Sequence, residues 1–265
     1  MTHSLAVVRE STHNSPDGLI ERTVRVIEAV VDAAEPVGPR GLARAVGIDR
    51  SAVGRILQHL GELDVLERRP EGYVPGPRLF SLSRVLGARD SLRSAVGPVL
   101  GALVDRFDET CYVCAFHGDV AVFTHEIQSS KPLRFVVELG RPVPLHAGAA
   151  GRAILSGLVP EEVPTVLGDA PLPQLTPHTI TDVDELLSLV EADRARGYSV
   201  SREERVSGGA SIAAPFFDQS GRCQGSVVFT SPLSRLDDSQ VEMIGRAVAD
   251  AAASLSARLV RGGRG

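Results

Sequence analysis

The stretch Gly38-Pro39-Arg40-Gly41-Leu42-Ala43-Arg44-Ala45-Val46-Gly47-Ile48-Asp49-Arg50-Ser51-Ala52-Val53-Gly54-Arg55-Ile56-Leu57-Gln58-His59-Leu60 decides how the first part of the chain folds. Gly38-Pro39 suits a helix start, with Gly at the cap and Pro at the first helical position. Leu42, Ala43 and Val46 recur at helical spacing, and Gly47-Ile48 breaks the run. Asp49 stands where the next helix wants an N-cap oxygen. Val53, Ile56, Leu57, Leu60 and Leu63 then form one apolar face, while Arg50, Ser51, Gly54, Arg55, Gln58 and His59 form the other. Two helices joined by a tight turn, the second basic and polar outside, follow the helix-turn-helix plan of a DNA reader.

Working outward, Val65 to Pro75 predicts two short strands around a turn with Pro70 and Gly72, a wing with Arg68 and Arg69 near its tip. Arg40, Arg50, Ser51, Ala52, Arg55, Gln58, Arg68 and Arg69 are the candidate DNA contacts. Arginine and glutamine suit base edges, serine more often holds phosphate, and wing arginines meet backbone or minor groove. Before the reader, Leu19 to Ala34 is expected to be a helix with Ile20, Val24, Ile27 and Val31 on one side. Residues 1–18 are expected to be a flexible arm.

After Gly76-Pro77, apolar spacing predicts a helix to about Ala88, a kink at Arg89-Asp90-Ser91 and a second helix from Leu92 to Phe107. Strands are expected at Cys111–His117, Val120–Gln128, Leu133–Val137, Tyr198–Glu203, Ala210–Phe217 and Gln224–Ser231, with helices at Thr181–Arg196 and Asp237–Leu259. Thr181 and Asp184 stand near the capping-box spacing, and Gly197 ends that helix. Pro160 to Pro177 is a connection with one short helical piece. Strand runs with helices before, between and after suggest an α+β fold with a central antiparallel sheet. The expected segments are 1–18, a DNA-binding domain at 19–77, a helical linker at 78–92, an effector-binding domain at 93–260 and a disordered tail at 261–265.

Composition narrows the function. In 265 residues, 43% are hydrophobic and 23% charged, and the net charge of −5 excludes a wholly cationic nucleic-acid coat but not a local basic face. Lys131 is the only lysine. No run approaches the roughly 18 apolar residues of a membrane span, and Leu5 to Val8 is too short for a signal-peptide core, so a cytoplasmic location is expected. Cys111-Tyr112-Val113-Cys114 matches C-x-x-C in spacing only, because the surroundings predict a strand, on which residues three apart face opposite ways. With Cys223 the one further cysteine, neither a metal nor a cofactor is expected.

A second site is suggested by Leu145-His146-Ala147-Gly148-Ala149-Ala150-Gly151-Arg152-Ala153. Small residues let another group approach, and a helix starting there points free amides outward, toward an anion such as a carboxylate. They equally allow close helix–sheet packing, which these residues alone favour. Arg152 in the first turn opposes the helix dipole, a cost that an anionic partner or exposure relieves.

These pieces together resemble the IclR family of transcriptional regulators over nearly the whole chain. The likeness is carried by Arg22 to Ile27, Gly47 to Leu57, Tyr73 to Leu79, Pro144 to Ala153, Arg196 to Glu204 and Ile212 to Asp218. The resemblance implies a winged helix-turn-helix, a C-terminal GAF-like effector domain, dimers through the DNA-binding half and often dimers of dimers. It implies double-stranded DNA with a roughly palindromic operator, and a small-molecule effector, as partners. It places Gly148, Ala149, Ala150, Ser201, Ser211, Val228 and Thr230 at the effector. Ser201 stands where many relatives have an acidic residue, and Ser211 where some have cysteine, so a relative's ligand does not transfer. Phe135, Phe216 and Phe229 are candidate walls, with core packing the alternative. Repressor and activator stay open. The rival readings are a ligand-independent DNA-binding protein and an enzyme using His146, Ser211, Cys111 or His125, although no nucleophile elbow, phosphate loop or metal spacing accompanies them.

Overall fold

The computed structural model describes residues 18–89 and 91–262. The expected arm (save Gly18), Asp90 of the expected kink and the last three residues of the expected tail lie outside these. The chain divides into two compact units, Met1–Arg89 and Asp90–Gly265.

In the first unit, α1 (Leu19–Val31), α2 (Pro39–Val46) and α3 (Arg50–Glu62) precede a hairpin of β1 (Leu66–Arg69) and β2 (Gly72–Pro75), then α4 (Pro77–Arg89). The α2–α3 turn forms because Gly47 takes a left-handed conformation (φ 67°) and Asp49 caps α3, accepting from the Ser51 amide at 2.7 Å. Leu42, Val53, Leu57 and Leu66 are fully buried with Val26 and Val30 of α1. The apolar side expected on α1 is not the one that packs inward: Ile20 is 82% exposed and Val24 47%. α1 carries two apolar stripes: Val26 and Val30 are buried in the core, while of the expected stripe Ile27 packs partly buried against it. Leu63, at the end of α3, is likewise exposed.

The wing is held by a partner the sequence reading missed. Val37 bridges Tyr73, each amide donating to the other's carbonyl at 3.0–3.1 Å. A Cβ on Gly72 would stand 2.7 Å from the Val37 carbonyl carbon, so only glycine lets these backbones meet.

The second unit runs α5 (Ser91–Phe107), β3 (Cys111–His117), β4 (Val120–Ile127), β5 (Pro142–Val143), α6 (Ala149–Gly157), α7 (Val163–Leu167), α8 (Val183–Arg196), β6 (Ser199–Arg202), β7 (Gly209–Phe217), β8 (Cys223–Pro232) and α9 (Asp238–Gly262). The antiparallel sheet has the order β5-β4-β3-β8-β7-β6. Alternate residues serve opposite cores. Val113, Ile212, Phe216 and Phe229 pack toward α5 and α9, while Tyr112, Cys114, Ala213 and Val228 pack toward α6 and α8. Cys111 and Cys114 therefore face opposite ways, and burial pushes both thiols up to about 12.

Three local expectations need correction. Leu133–Val137 is not a strand; the strand beside β4 is Pro142–Val143, paired with Ala121 and Val122. Tyr112 explains the difference: its hydroxyl donates to Phe135 O and accepts from the Val137 amide, each at 3.1 Å, holding this segment across the sheet without a ladder. Asp182 caps α8 through the Glu185 amide, where Thr181 was expected to. α9 continues to Gly262, past the expected start of the tail.

Candidate DNA interface and effector pocket

In the first unit the core fixes which face of α3 is left outside. Arg50, Ser51, Arg55 and Gln58 are exposed and Ala52 is half-buried; Arg40 on α2 and Arg68 and Arg69 on the wing are also exposed. Among the described residues, no carboxylate lies within ion-pairing distance of Arg40, Arg50, Arg55 or Arg68. Gln58 donates to Glu62 at 3.0 Å, and Arg69 pairs with Glu67 at 3.3 Å. Hydrogen bonds from the backbone and side chain of Ser51 hold the Asp49 carboxyl below its usual range, so the cap is ionised near neutral pH.

In the second unit a pocket of about 520 Å³ of empty space, part of it open to solvent, lies on the α6 face of the sheet. All seven residues named for the effector, Gly148, Ala149, Ala150, Ser201, Ser211, Val228 and Thr230, stand on its wall. The strand register explains three of them. Ser201 is opposite Ser211, and Ser211 opposite Thr230, so three hydroxyls form a row across β6, β7 and β8. Thr230 donates to Thr110 O at 3.1 Å. Ser201 and Ser211 make no side-chain hydrogen bond among the described residues.

The start of α6 serves packing and pocket together. Gly148 has φ 94°, which side-chain-bearing residues rarely adopt. A Cβ on Gly151 would come 2.3 Å from Leu145 O. Ala149 and Ala150 belong both to the core and to the pocket wall. Arg152 is almost wholly buried, and the anionic partners that offset its position belong to the chain itself. It bonds Asp193 at 3.0 Å, Glu204 at 2.5 Å and the Val200 carbonyl. Burial would depress the Arg152 pKa, but Glu204 and Asp193 reverse this and the net shift is upward. The second Glu204 oxygen accepts from the Gly148 amide at 3.1 Å.

Sequence reasoning missed Phe123, Val137, Glu204, Arg205 and Val206 on the pocket wall. Of the three phenylalanines it named, Phe135 lines the pocket, whereas Phe216 and Phe229 pack on the opposite side of the sheet. The groups suited to catalysis are not assembled. His146 Nε2–H donates to Pro173 O at 2.9 Å and burial lowers its pKa; His125 bonds Thr124 at 2.9 Å; Cys111 is buried on the far face. Among the described residues no helix is long and apolar enough to cross a membrane.

Comparison with known proteins bears on both units. The family described as "IclR helix-turn-helix domain" matches residues 19–70, and that described as "Bacterial transcriptional regulator IclR C-terminal" matches residues 85–257. The chain is 33% identical over 243 residues to the HTH-type transcriptional repressor AllR of Salmonella paratyphi A, covering 91% of this chain and 89% of that protein. It is 27% identical over 219 residues to the HTH-type transcriptional regulator KipR of Bacillus subtilis, covering 82% and 88%. Its fold is similar to the crystal structure of Thermotoga maritima IclR, with TM-score 0.73 and 23% identity over 91% of this chain and 98% of that one. It is also similar to an IclR homolog from Microbacterium hydrocarbonoxydans complexed with 4-hydroxybenzoate, with TM-score 0.78 and 22% identity over 91% and 99%.

Proposed function

The chain belongs to the IclR family of bacterial transcriptional regulators, and we propose that it grips a roughly palindromic operator as a homodimer or dimer of dimers and answers to a small carboxylic acid. The observation that carries the DNA half is the outward face of α3, where Arg50 and Arg55 stand exposed on a helix held rigid by its cap and core. Arginine at such a face suits guanine edges, and Arg68 and Arg69 suit the adjoining backbone. Ile20, Val24, Ile27 and Val31 are spaced four, three and four along α1, the repeat that pairs one helix with another, and three of them are exposed.

The acid reading is supported by the pocket, whose apolar walls carry a few polar groups, and by the 4-hydroxybenzoate held by the Microbacterium hydrocarbonoxydans homolog. A ligand controls such a regulator only through different affinity for two arrangements of the chain. We read the pocket as non-catalytic, because its wall carries neither histidine nor cysteine among the described residues and His146 is engaged by Pro173 O. The protein acts in the cytoplasm, where its operator is. The Salmonella relative is named a repressor; transcription from the target promoter with and without this protein decides the sign here.

DNase footprinting on the region upstream of its gene, with and without small carboxylic acids, tests the reading. A discrete, two-fold symmetric footprint that at least one acid strengthens or weakens is expected. No discrete footprint contradicts the operator reading, and a footprint indifferent to every acid favours a ligand-independent DNA-binding protein.

A further inference from the structure

Arg205 is a charged pocket residue to which the fold gives no counter-charge among the described residues. It follows Glu204, whose two oxygens are taken by Arg152 and by the Gly148 amide. The Arg205 side chain lies against Gly148, where a Cβ would stand 3.6 Å from its own. Its guanidinium carbon sits 5.1 Å from the centre of the Phe123 ring, in cation–π contact. Among the described residues it makes no hydrogen bond and no ion pair. Burial lowers its pKa; Cys114 and Tyr112 act the other way only once ionised, and burial raises both of their pKa values. Arginine nevertheless keeps its charge in proteins.

The contrast with the neighbouring cations is direct. Arg152 is drawn inside against two carboxylates, and Arg235 holds Glu109 at 2.6 and 2.8 Å. Drawing a guanidinium out of water without an anion is costly. Arg205 stands half-buried on the wall of an open, mostly apolar pocket, with no anion paired to it among the described residues and its guanidinium carbon over an aromatic ring.

We propose that Arg205 fixes the charge of the effector, receiving the carboxylate of a small organic acid through its guanidinium fork while the apolar walls hold the acid's body. This rests on the reading of the pocket as the effector site and adds the residue that sets its ligand class. The carboxylate is favoured over a phosphate group because one guanidinium balances one negative charge, and the rest of the wall is apolar or hydroxyl-bearing apart from Glu204, whose oxygens are engaged by Arg152 and the Gly148 amide. Arg205 touches the start of α6 only through its aliphatic stem at Gly148, so the role of its guanidinium is separable from the ion pairs of Arg152.

Thermal-shift and calorimetric titrations of the full chain with benzoate, 4-hydroxybenzoate, the corresponding amides and inorganic phosphate test the assignment. Wild type is expected to be stabilised by at least one acid and by neither its amide nor phosphate. Arg205→Gln is expected to weaken that acid's binding roughly ten- to hundredfold and to remove the preference for acid over amide. Arg205→Lys, which keeps the charge without the fork, is expected to bind at intermediate strength, and it carries the test if the glutamine variant does not fold. Acid binding unchanged in both variants overturns the role of Arg205 and leaves the effector pocket standing. Equal stabilisation of wild type by acid and amide also overturns it. If no acid shifts the wild type, the carboxylate class falls, and this assignment with it.

Discussion

On α3 the arginines stand in solvent, whereas around the pocket Arg152 is buried and Arg205 half-buried. On the proposed reading, the first arrangement leaves recognition to Arg50 and Arg55, which make no ion pair among the described residues. Removing one of them changes what the surface can meet, with little consequence for the core. In the second, charge and fold are the same problem: Arg152 is balanced by Asp193 and Glu204, and Glu204 in turn holds the Gly148 amide at the pocket's edge. On the proposed reading, binding residues that are expendable for stability belong to the helix-turn-helix unit, and those of the pocket are graded by whether the protein supplies their counter-charge.

The largest effect expected from this contrast is at Arg152. Arg152→Met leaves the buried Glu204 without its cation and takes one of two arginines from Asp193, and is expected to destabilise the second unit by about 3–5 kcal/mol, read from urea denaturation of the full chain. A change within about 0.5 kcal/mol would place Arg152 among the expendable residues and break the comparison. Arg55→Ala is expected to weaken operator binding roughly ten- to hundredfold with an unchanged denaturation midpoint; unaltered affinity in fluorescence anisotropy would remove Arg55 from the reader. Arg68→Ala is expected to act more weakly and alike on all sequences, lowering the slope of log affinity against log salt by roughly one.

The smallest effect is at the cap. Asp49→Ala is expected to lower the melting temperature slightly. The Asp49 pKa is lower folded than unfolded, so its contribution is fully present above the ordinary carboxylate range and is lost as pH falls through the lowered value. The melting temperatures of wild type and variant should therefore converge in acid; a difference that persists at low pH would refute the ionised cap.

The reader was largely legible in the sequence because its parts are local. Asp49, the Val53–Ile56–Leu57–Leu60 face and the polar residues opposite all lie within one helix and its turn. α1 shows the limit of that legibility: it has two apolar stripes, and which one enters the core depends on α2 and α3 rather than on α1. The hydroxyl row of the pocket depends on the register of β6, β7 and β8, which no single segment carries. The alternation in Leu133–Val137 imitates a strand because Phe135 and Val137 turn toward the pocket while Leu133 and Val136 are exposed. Arg205 gave no signal at all. It lies between strands in a charged run, and only the long-range placement of Phe123 and Gly148 distinguishes it from a solvated side chain.

The division of labour is tested most directly by anisotropy titration of the full chain onto duplex from upstream of its own gene and onto a shuffled duplex of the same composition, at one moderate salt concentration. The account predicts binding to the natural duplex tighter by about 10³-fold or more, with Arg55→Ala losing most of that margin. Equal affinity for the two duplexes would contradict it.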